Sequence, residues 1–509
     1  MVEQARGEHE AALASYRRAS GIDPQHARAF YQRSTVLHHL KRYDEALADC
    51  QQALALQQDY QEAYKSCATV LRALKHYATA LGSADMAVRL KPDDDHAHDL
   101  RGTILKDMKR PLEALYAHER ALALAPDMNS AHQNRANALL DLKRFAEAEA
   151  GYSDAIALDP ARPEPYLNRG TVHAAAGNYE AALADYDAAI ERNPDMAGAY
   201  WNRSLLHLEH GRFKQGWIDH EWRWKTVHFE NSIDQRDVAL PLWRGQCLDG
   251  KTIVLGSEQG LGDTLQCARF APMLAARGAT VILEVQRALV DLLGTVDGVR
   301  QVLPRGAALP PADYWCPLMS VPLALGIEAD TIPAFPRYLD SDPAKRAAWA
   351  QRLGPRSAPR VGLVWSGNPT HGNDASRSIV FEEFAAMLPP GLEYVSLMKD
   401  IRPSDAAALA ARPDVRCFAE HLHDFTDTAA LCDELDLVVS VDTSVAHLAG
   451  ALGRPTWILL PLVVDWRWMR ERSDSPWYPS ARLLRQSGVN DWSAVRREVR
   501  AGLAALLEG

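Results

Sequence analysis

Asp442-Thr443-Ser444 ends an apolar run, Val438 to Val441, and opens an apolar helical stretch that reaches Gly453. A strand-to-helix turn of this kind leaves backbone N–H groups unpaired at the helix start, and here two hydroxyls stand beside them. Such donors at the positive end of a helix suit an anion, above all a diphosphate. Upstream, the run Thr252 to Leu255 leads into a glycine-rich turn, Gly256-Ser257-Glu258-Gln259-Gly260-Leu261-Gly262-Asp263. A carboxylate at the end of a glycine turn can face a cleft unobstructed, so Asp263 is a candidate general base. Its competing role is helix capping, where an acid contributes about 0.5–2 kcal/mol.

Between these turns lie further candidates. Gly367 and Asn368, in Trp365-Ser366-Gly367-Asn368-Pro369, let a ligand approach the end of the apolar run Arg360 to Trp365. Arg377 carries a rigid, permanently charged fork that suits phosphate without a metal, unless it pairs at the surface with Asp374 or Glu382. Asp442 could orient its loop or touch the ligand. His447, one helical turn beyond Thr443, reaches a phosphate or packs, and packing is the commoner fate of such a residue. No Asp-x-Asp signature marks these turns, so no metal is expected.

Alternating strands and helices must position these groups. After the strand at Thr252, a helix is predicted from the glycine turn through Cys267 to Arg277, ended by Gly278, with strands at Thr280 to Val285 and Val299 to Leu303. Proline and glycine then thicken at Pro343, Gly354, Pro355 and Pro359, which reads as a hinge or linker. Strands follow at Arg360, Glu393, Arg416 and Val438, with Thr456 to Leu460 expected as the last. Repeated β–α alternation implies parallel sheets with ligands at the carboxyl ends of the strands.

The first half carries a 34-residue period. Small residues recur at Ala12, Ala46, Ala80, Ala114, Ala148 and Ala182, and again at Ala19, Ala53, Ala87, Ala121, Ala155 and Ala189. Tyr43, Tyr77, Phe145, Tyr179 and Phe213 keep the same beat, with Pro111 in their series. This looks like the tetratricopeptide repeat, a helix–turn–helix unit of that length. Gly7 to Asp23 matches only the second helix of a unit, so a truncated or capped start is expected. Tryptophans at 217, 222 and 224 suggest an end helix that docks on the next domain; a sugar-stacking platform is the alternative. Asn134, Asn168 and Asn202 form a ladder that could bond an extended peptide backbone in the groove. The accompanying series Arg33, Arg101, Arg135, Arg169 and Arg203 could equally be structural filler, each head pairing with an acid on a neighbouring helix.

Composition narrows the class. The 509 residues allow about three domains, and 47% apolar with 24% charged residues describes a globular protein. A net charge of -10 argues against a general nucleic-acid binder. No apolar run approaches the roughly 20 residues needed to cross a bilayer, and Met1 to Glu10 lacks the core of a signal peptide. The seven cysteines are scattered without a CxxC, which disfavours a disulfide framework or zinc site and fits a reducing cytoplasm.

Gly260-Leu261-Gly262-Asp263, Trp365-Ser366-Gly367-Asn368-Pro369, Arg377-Ser378-Ile379, Asp424 to Leu431, Asp442 to His447 and Pro476-Trp477-Tyr478-Pro479 together resemble the bacterial heptosyltransferase-type glycosyltransferases. The closest likeness is to the subgroup with tetratricopeptide repeats in front, and the layout is similar to that of protein O-linked N-acetylglucosamine transferases. The resemblance implies an α-solenoid followed by a GT-B module of two Rossmann-like lobes. The expected domains are repeats at 1–230, a connector at 231–250, an acceptor lobe at 251–343, a nucleotide-sugar lobe at 344–490 and a closing helix at 491–509. It further implies Asp263 as base, and Gly262, Gly367, Asn368, Arg377, Lys399, Asp442, Thr443, Ser444 and His447 around the donor. Met398 stands where relatives carry a polar residue, which leaves the nucleotide open.

The expected activity is inverting, metal-independent transfer from a nucleotide-sugar, a substrate rather than a cofactor, to a protein acceptor held by the repeat groove. By family likeness that acceptor could be flagellin or another surface protein. A lipopolysaccharide- or glycan-assembling enzyme and a non-catalytic repeat scaffold are the alternatives.

Overall fold

The computed structural model describes residues 2–226, 239–488 and 490–508. The chain divides into two compact units, residues 1–199 and 200–509. The division falls inside the helix Ala197–Glu209, so the last repeat is cut between the two units.

The first unit is a series of paired antiparallel helices, among them Tyr43–Leu56, Gln61–Ala73, Tyr77–Leu90, Asp95–Asp107, Pro111–Leu124 and Asn129–Asp141. Every alanine of the two series from Ala46 to Ala189 is fully buried, which lets paired helices approach closely. Pro111 fits its series because it occupies the first helical position, where the missing N–H costs nothing. Each helix pair turns on a left-handed residue: Lys41, Lys75, Lys109 and Lys143 have φ of 58 to 62°, and Gly177 and Gly211 continue the interval. A left-handed residue just past a helix end satisfies its last carbonyls. The arginine series pairs as filler, each head meeting an acid 16 positions away: Arg33 with Asp49, Arg101 with Asp85, Arg135 with Glu119 and Arg169 with Asp185.

The second unit begins with the remainder of that last repeat. Trp217 is 2% exposed, donates its indole N–H to the Ile327 carbonyl at 2.9 Å and packs edge-on to Trp466. It is therefore an anchor and no stacking platform. Residues 231–238 of the predicted connector lie outside the described residues. Its latter part joins the sheet edge, where Trp315 N–H donates to the Pro241 carbonyl and Trp243 N–H to that of Trp315.

Two parallel sheets follow. The first has β1 (Thr252–Gly256), β2 (Thr280–Val285), β3 (Val299–Pro304) and β4 (Tyr314–Pro317) in the order β3-β2-β1-β4. The second has β5 (Arg360–Val364), β6 (Glu393–Ser396), β7 (Val415–Cys417), β8 (Leu437–Val441), β9 (Thr456–Leu460) and β10 (Ala481–Arg485) in the order β10-β9-β8-β5-β6-β7. In each, strand order reverses at one place, between β1 and β4 and between β5 and β8. That reversal opens a crevice at the carboxyl ends of the strands.

Three expectations need correction. β10 follows the strand expected to be last. The proline-rich stretch at Pro343 is a helix, Pro343–Leu353, because Asp342 caps it and proline starts it; only Gly354 onward is a loop. The long helix predicted from the glycine turn to Arg277 breaks after Cys267 into a 3-10 turn and a short helix, Ala271–Ala275, around Pro272.

Candidate anion site at the strand crossover

The carboxyl ends of β5 and β8 meet at the crossover of the second sheet, and each supplies one of the predicted turns. Arg377, from the short helix Asp374–Arg377, donates through Nη1 to the Asp442 carbonyl at 2.9 Å. A Cβ on Gly367 would stand 2.7 Å from Arg377 Nη2, so glycine is what lets the guanidinium lie on the end of β5. Arg377 Nε is buried without a hydrogen-bond partner. The alternative partner, Asp374, lies 4.0 Å from it and is engaged by Arg402 at 2.7 Å and by Ser378 Oγ at 2.7 Å. On the β8 side, Thr443 precedes the helix Ser444–Ala451 without making a side-chain cap, and its hydroxyl stays by Ser440 Oγ at 3.2 Å. The start of that helix thus keeps its anion-attracting dipole uncapped.

Asp263 comes from the first sheet's glycine turn, in the helix Leu261–Cys267. Its Oδ2 accepts the Gly260 N–H at 2.7 Å, and its Oδ1 is ion-paired with Arg467. Arg467 also donates from Nε to Gln266 Oε1 at 2.6 Å and from Nη1 to Asp465 at 2.8 Å, with its guanidinium 4.3 Å from the Trp466 ring centre. A Cβ at Gly262 would meet His447 Cδ2 at 2.7 Å and Ser444 Cα at 3.6 Å. The two predicted turns are therefore in contact, and Gly262 serves that close approach. His447 packs: it is 4% exposed, stacks on Trp468, and its Nδ1 lies 2.9 Å from the Tyr478 hydroxyl.

The electrostatics follow from burial and from three carboxylates facing two guanidiniums. Burial pushes Asp263 up from its ordinary value, against the pull of Arg467. Asp442 is pushed up to about 6, first by burial and then by Asp465. Burial opposes the charge of Arg467, but Asp263 and Asp465 outweigh it and strengthen its hold on the proton. Burial and the neighbouring arginines keep His447 neutral, well below its usual range. His371, on the loop after β5, is lowered by burial and Arg377 and feels both Asp263 and Asp465. Chemically, the crossover sets an arginine fork and a helix start, both suited to an anion, near a carboxylate.

Other predicted residues fare differently. Asn368 is exposed, and its amide oxygen holds the Thr370 N–H and hydroxyl, so it builds the turn. Lys399 follows β6 at the same sheet edge, where its ammonium donates to the His423 carbonyl. Asn134 is not a free rung: its amide donates to both oxygens of Asp99, which His118 also holds. Asn168 and Asn202 are half-buried on Glu164–Ala176 and Ala197–Glu209. No group of three or more His, Cys, Asp or Glu able to hold a metal ion occurs among the described residues.

Sequence reasoning missed Arg467, Asp465, His371 and Arg402. A signal existed for the first two: Asp465-Trp466-Arg467-Trp468 places charge between tryptophans just beyond the apolar strand β9. It also missed the crevice of the first sheet, which the protein fills itself. There Glu258 accepts the Met319 N–H at 3.0 Å and two bonds from Arg223 Nη2 at 2.9 and 3.0 Å. Burial pushes Glu258 up to about 7, against the pull of Arg223.

A tetratricopeptide repeat family model matches residues 1–61, 100–163 and 167–215. The N-terminal region is a tetratricopeptide-repeat solenoid. Protein FlbA of Caulobacter vibrioides is 28% identical over 288 residues, 51% of this chain and 48% of FlbA. The chain thus spans about half the length of that curated relative. Among solved structures, YrrB, described as a TPR protein with an unusual peptide-binding site, is 24% identical with a TM-score of 0.32, covering 37% of this chain and 98% of its own. A tetratricopeptide repeat protein from Parabacteroides merdae is 17% identical with a TM-score of 0.39, covering 45% and 90% respectively. Among the described residues no helix is long and apolar enough to cross a membrane.

Proposed function

We propose that the second unit is a GT-B glycosyltransferase of heptosyltransferase type, moving a sugar from a nucleotide-sugar to a protein acceptor selected by the repeats. The observation that carries this reading is the meeting of the two turns. Asp263 from the first sheet and Ser444 from the second belong to helix starts in contact through Gly262 and His447, and Arg377 joins the second through the Asp442 carbonyl. A base beside a diphosphate-binding group is what direct displacement at a sugar carbon requires. Arg377 and the start of Ser444–Ala451 would stabilise the leaving diphosphate. Asp263 would take the acceptor's proton. A repeat groove on the same chain raises the acceptor's effective concentration without any new contact at the cleft.

A second reading, a binding scaffold without catalysis, is favoured by one observation: both oxygens of Asp263 are already bonded. Acceptor-dependent release of nucleoside diphosphate from a panel of nucleotide-sugars separates the two. Transfer predicts release that falls about 10²-fold or more in Asp263→Ala. Release unchanged by that substitution removes Asp263 from the chemistry, and no release with any donor leaves the scaffold.

A further inference from the structure

The bonding of Asp263 leads one step further, resting on the transferase reading above. One carboxylate oxygen takes the Gly260 N–H at 2.7 Å and the other is paired with Arg467. Bonds from a guanidinium and an amide to both oxygens lower a carboxylate's affinity for a proton, and here they oppose the rise that burial causes. Arg467 itself is shared: it reaches Gln266 of the first sheet's helix and Asp465 beyond β9, besides Asp263. Beside it stand donors with no partner of their own, the buried Nε of Arg377 and the uncapped start of Ser444–Ala451. An anion drawn to those donors also attracts Arg467, whose fork matches phosphate as well as carboxylate.

We infer that Arg467 is a positioning residue that exchanges partners: a nucleoside diphosphate seated by Arg377 and Ser444 draws its guanidinium off Asp263 and so frees the base. In the resting protein Asp263 is tied down. With the diphosphate bound, it is a half-buried carboxylate next to Asp465 and new negative charge, and its affinity for a proton rises. Without acceptor that proton comes from solvent; with acceptor it comes from the attacking hydroxyl. The groups facing Asp263 are few. Arg467 and Asp465 come from the segment after β9, and His371 from the loop after β5. Cys267, on its own helix, is a thiol pushed up to about 12 by burial, and His447 against Gly262 is held neutral. Asp442 is the remaining carboxylate that feels Arg467, and it stands as the control.

Calorimetry on the full chain tests this, titrating uridine, guanosine and adenosine diphosphate at about pH 6.5 in buffers of different ionisation enthalpy. Binding to the unaltered protein should take up as much as about one proton per diphosphate, and Asp263→Asn should bind yet lose at least about half of that uptake. Uptake that persists unchanged in Asp263→Asn assigns the proton to Asp442 or the ligand and overturns the inference, while the transferase reading stands. Failure of all three diphosphates to bind overturns both. Should Asp263→Asn not fold, Arg467→Lys carries the test. Its single ammonium lacks the fork that holds Asp263, Gln266 and Asp465 together and then turns to phosphate, so uptake should fall and affinity should drop about tenfold. Unchanged uptake there overturns the inference equally.

Discussion

In the repeat unit one arginine series meets its acids at a short, fixed interval; in the sheet unit buried guanidiniums find partners across much of the chain. Arg33, Arg101, Arg135 and Arg169 each find their acid 16 positions away, and two of these pairs, Arg101–Asp85 and Arg135–Glu119, keep both partners in contact with water. Arg467 reaches Gln266 over 201 positions and Arg269 reaches the Trp477 carbonyl over 208. Arg269 is fully buried and has the faces of Tyr338, Trp477 and Tyr478 around its guanidinium, 4.6 to 5.3 Å from the ring centres. Stability in a solenoid is a sum of neighbour terms, so one lost pair matters little. A buried guanidinium is costly unless its donors are bonded, and removing one strands the groups it served. The sheet unit therefore depends on contacts between residues much farther apart in the chain than those of the arginine series.

The contrast can be measured because all 13 tryptophans lie beyond residue 200. Intrinsic fluorescence thus follows the sheet unit, and far-ultraviolet circular dichroism is weighted toward the helical repeats. The largest expected effect is that of Arg269→Ala, which strips the carbonyls of Trp477 and Pro333 of a donor and leaves a void among three rings. It should cost the fluorescence transition in urea about 3 kcal/mol or more. The matching change in the repeats, Arg101→Ala, removes a pair 31% and 50% exposed. Its cost should be under about 1 kcal/mol. Equal costs would erase the distinction between the units.

A pH series sharpens it. Glu258 has its folded value raised from 4.5 to about 7, so its contribution is fully present below 4.5 and is lost as pH rises through 7. Across that window the fluorescence transition should weaken with a slope of about one proton, or about 1.4 kcal/mol per pH unit, relative to Glu258→Gln. Parallel curves for the two proteins would show that burial does not raise this carboxyl. The smallest effect belongs to the repeat turns. Lys75 sits at φ 62°, so Lys75→Gly should relieve left-handed strain and stabilise the circular dichroism transition by about 0.5–1 kcal/mol. A destabilised variant would mean that the lysine side chain contributes more than its backbone costs.

Legibility divides along the same line. The alanine and aromatic series announced the helix pairs because each repeat buries the same positions against its neighbour, and the burial of Ala46 through Ala189 follows. The two turns at Asp263 and Asp442 were readable as strand-to-helix junctions because apolar strands in parallel sheets form continuous runs. Pro343 was misread: in company with Gly354 and Pro355 it resembled a linker, although Asp342 before it is a helix-start signal. Asn134 was seen as a rung, but nothing in its spacing revealed that Asp99, buried beside His118, would claim its amide.

What the amino-acid order determined alone is what is settled within a few residues or one repeat: the repeat helices and their turns, the buried alanines, a helix start fit for an anion at Thr443 and Ser444, and a glycine turn that carries Asp263. Only the tertiary structure decided that those starts touch, that Gly262 makes room for His447, and that Arg467 spans from Asp465 to Asp263. The physical reason is range. Backbone preference and hydrophobic period act locally and leave a trace in spacing, whereas a buried charge takes whichever partner the folded chain brings to it, at no fixed interval.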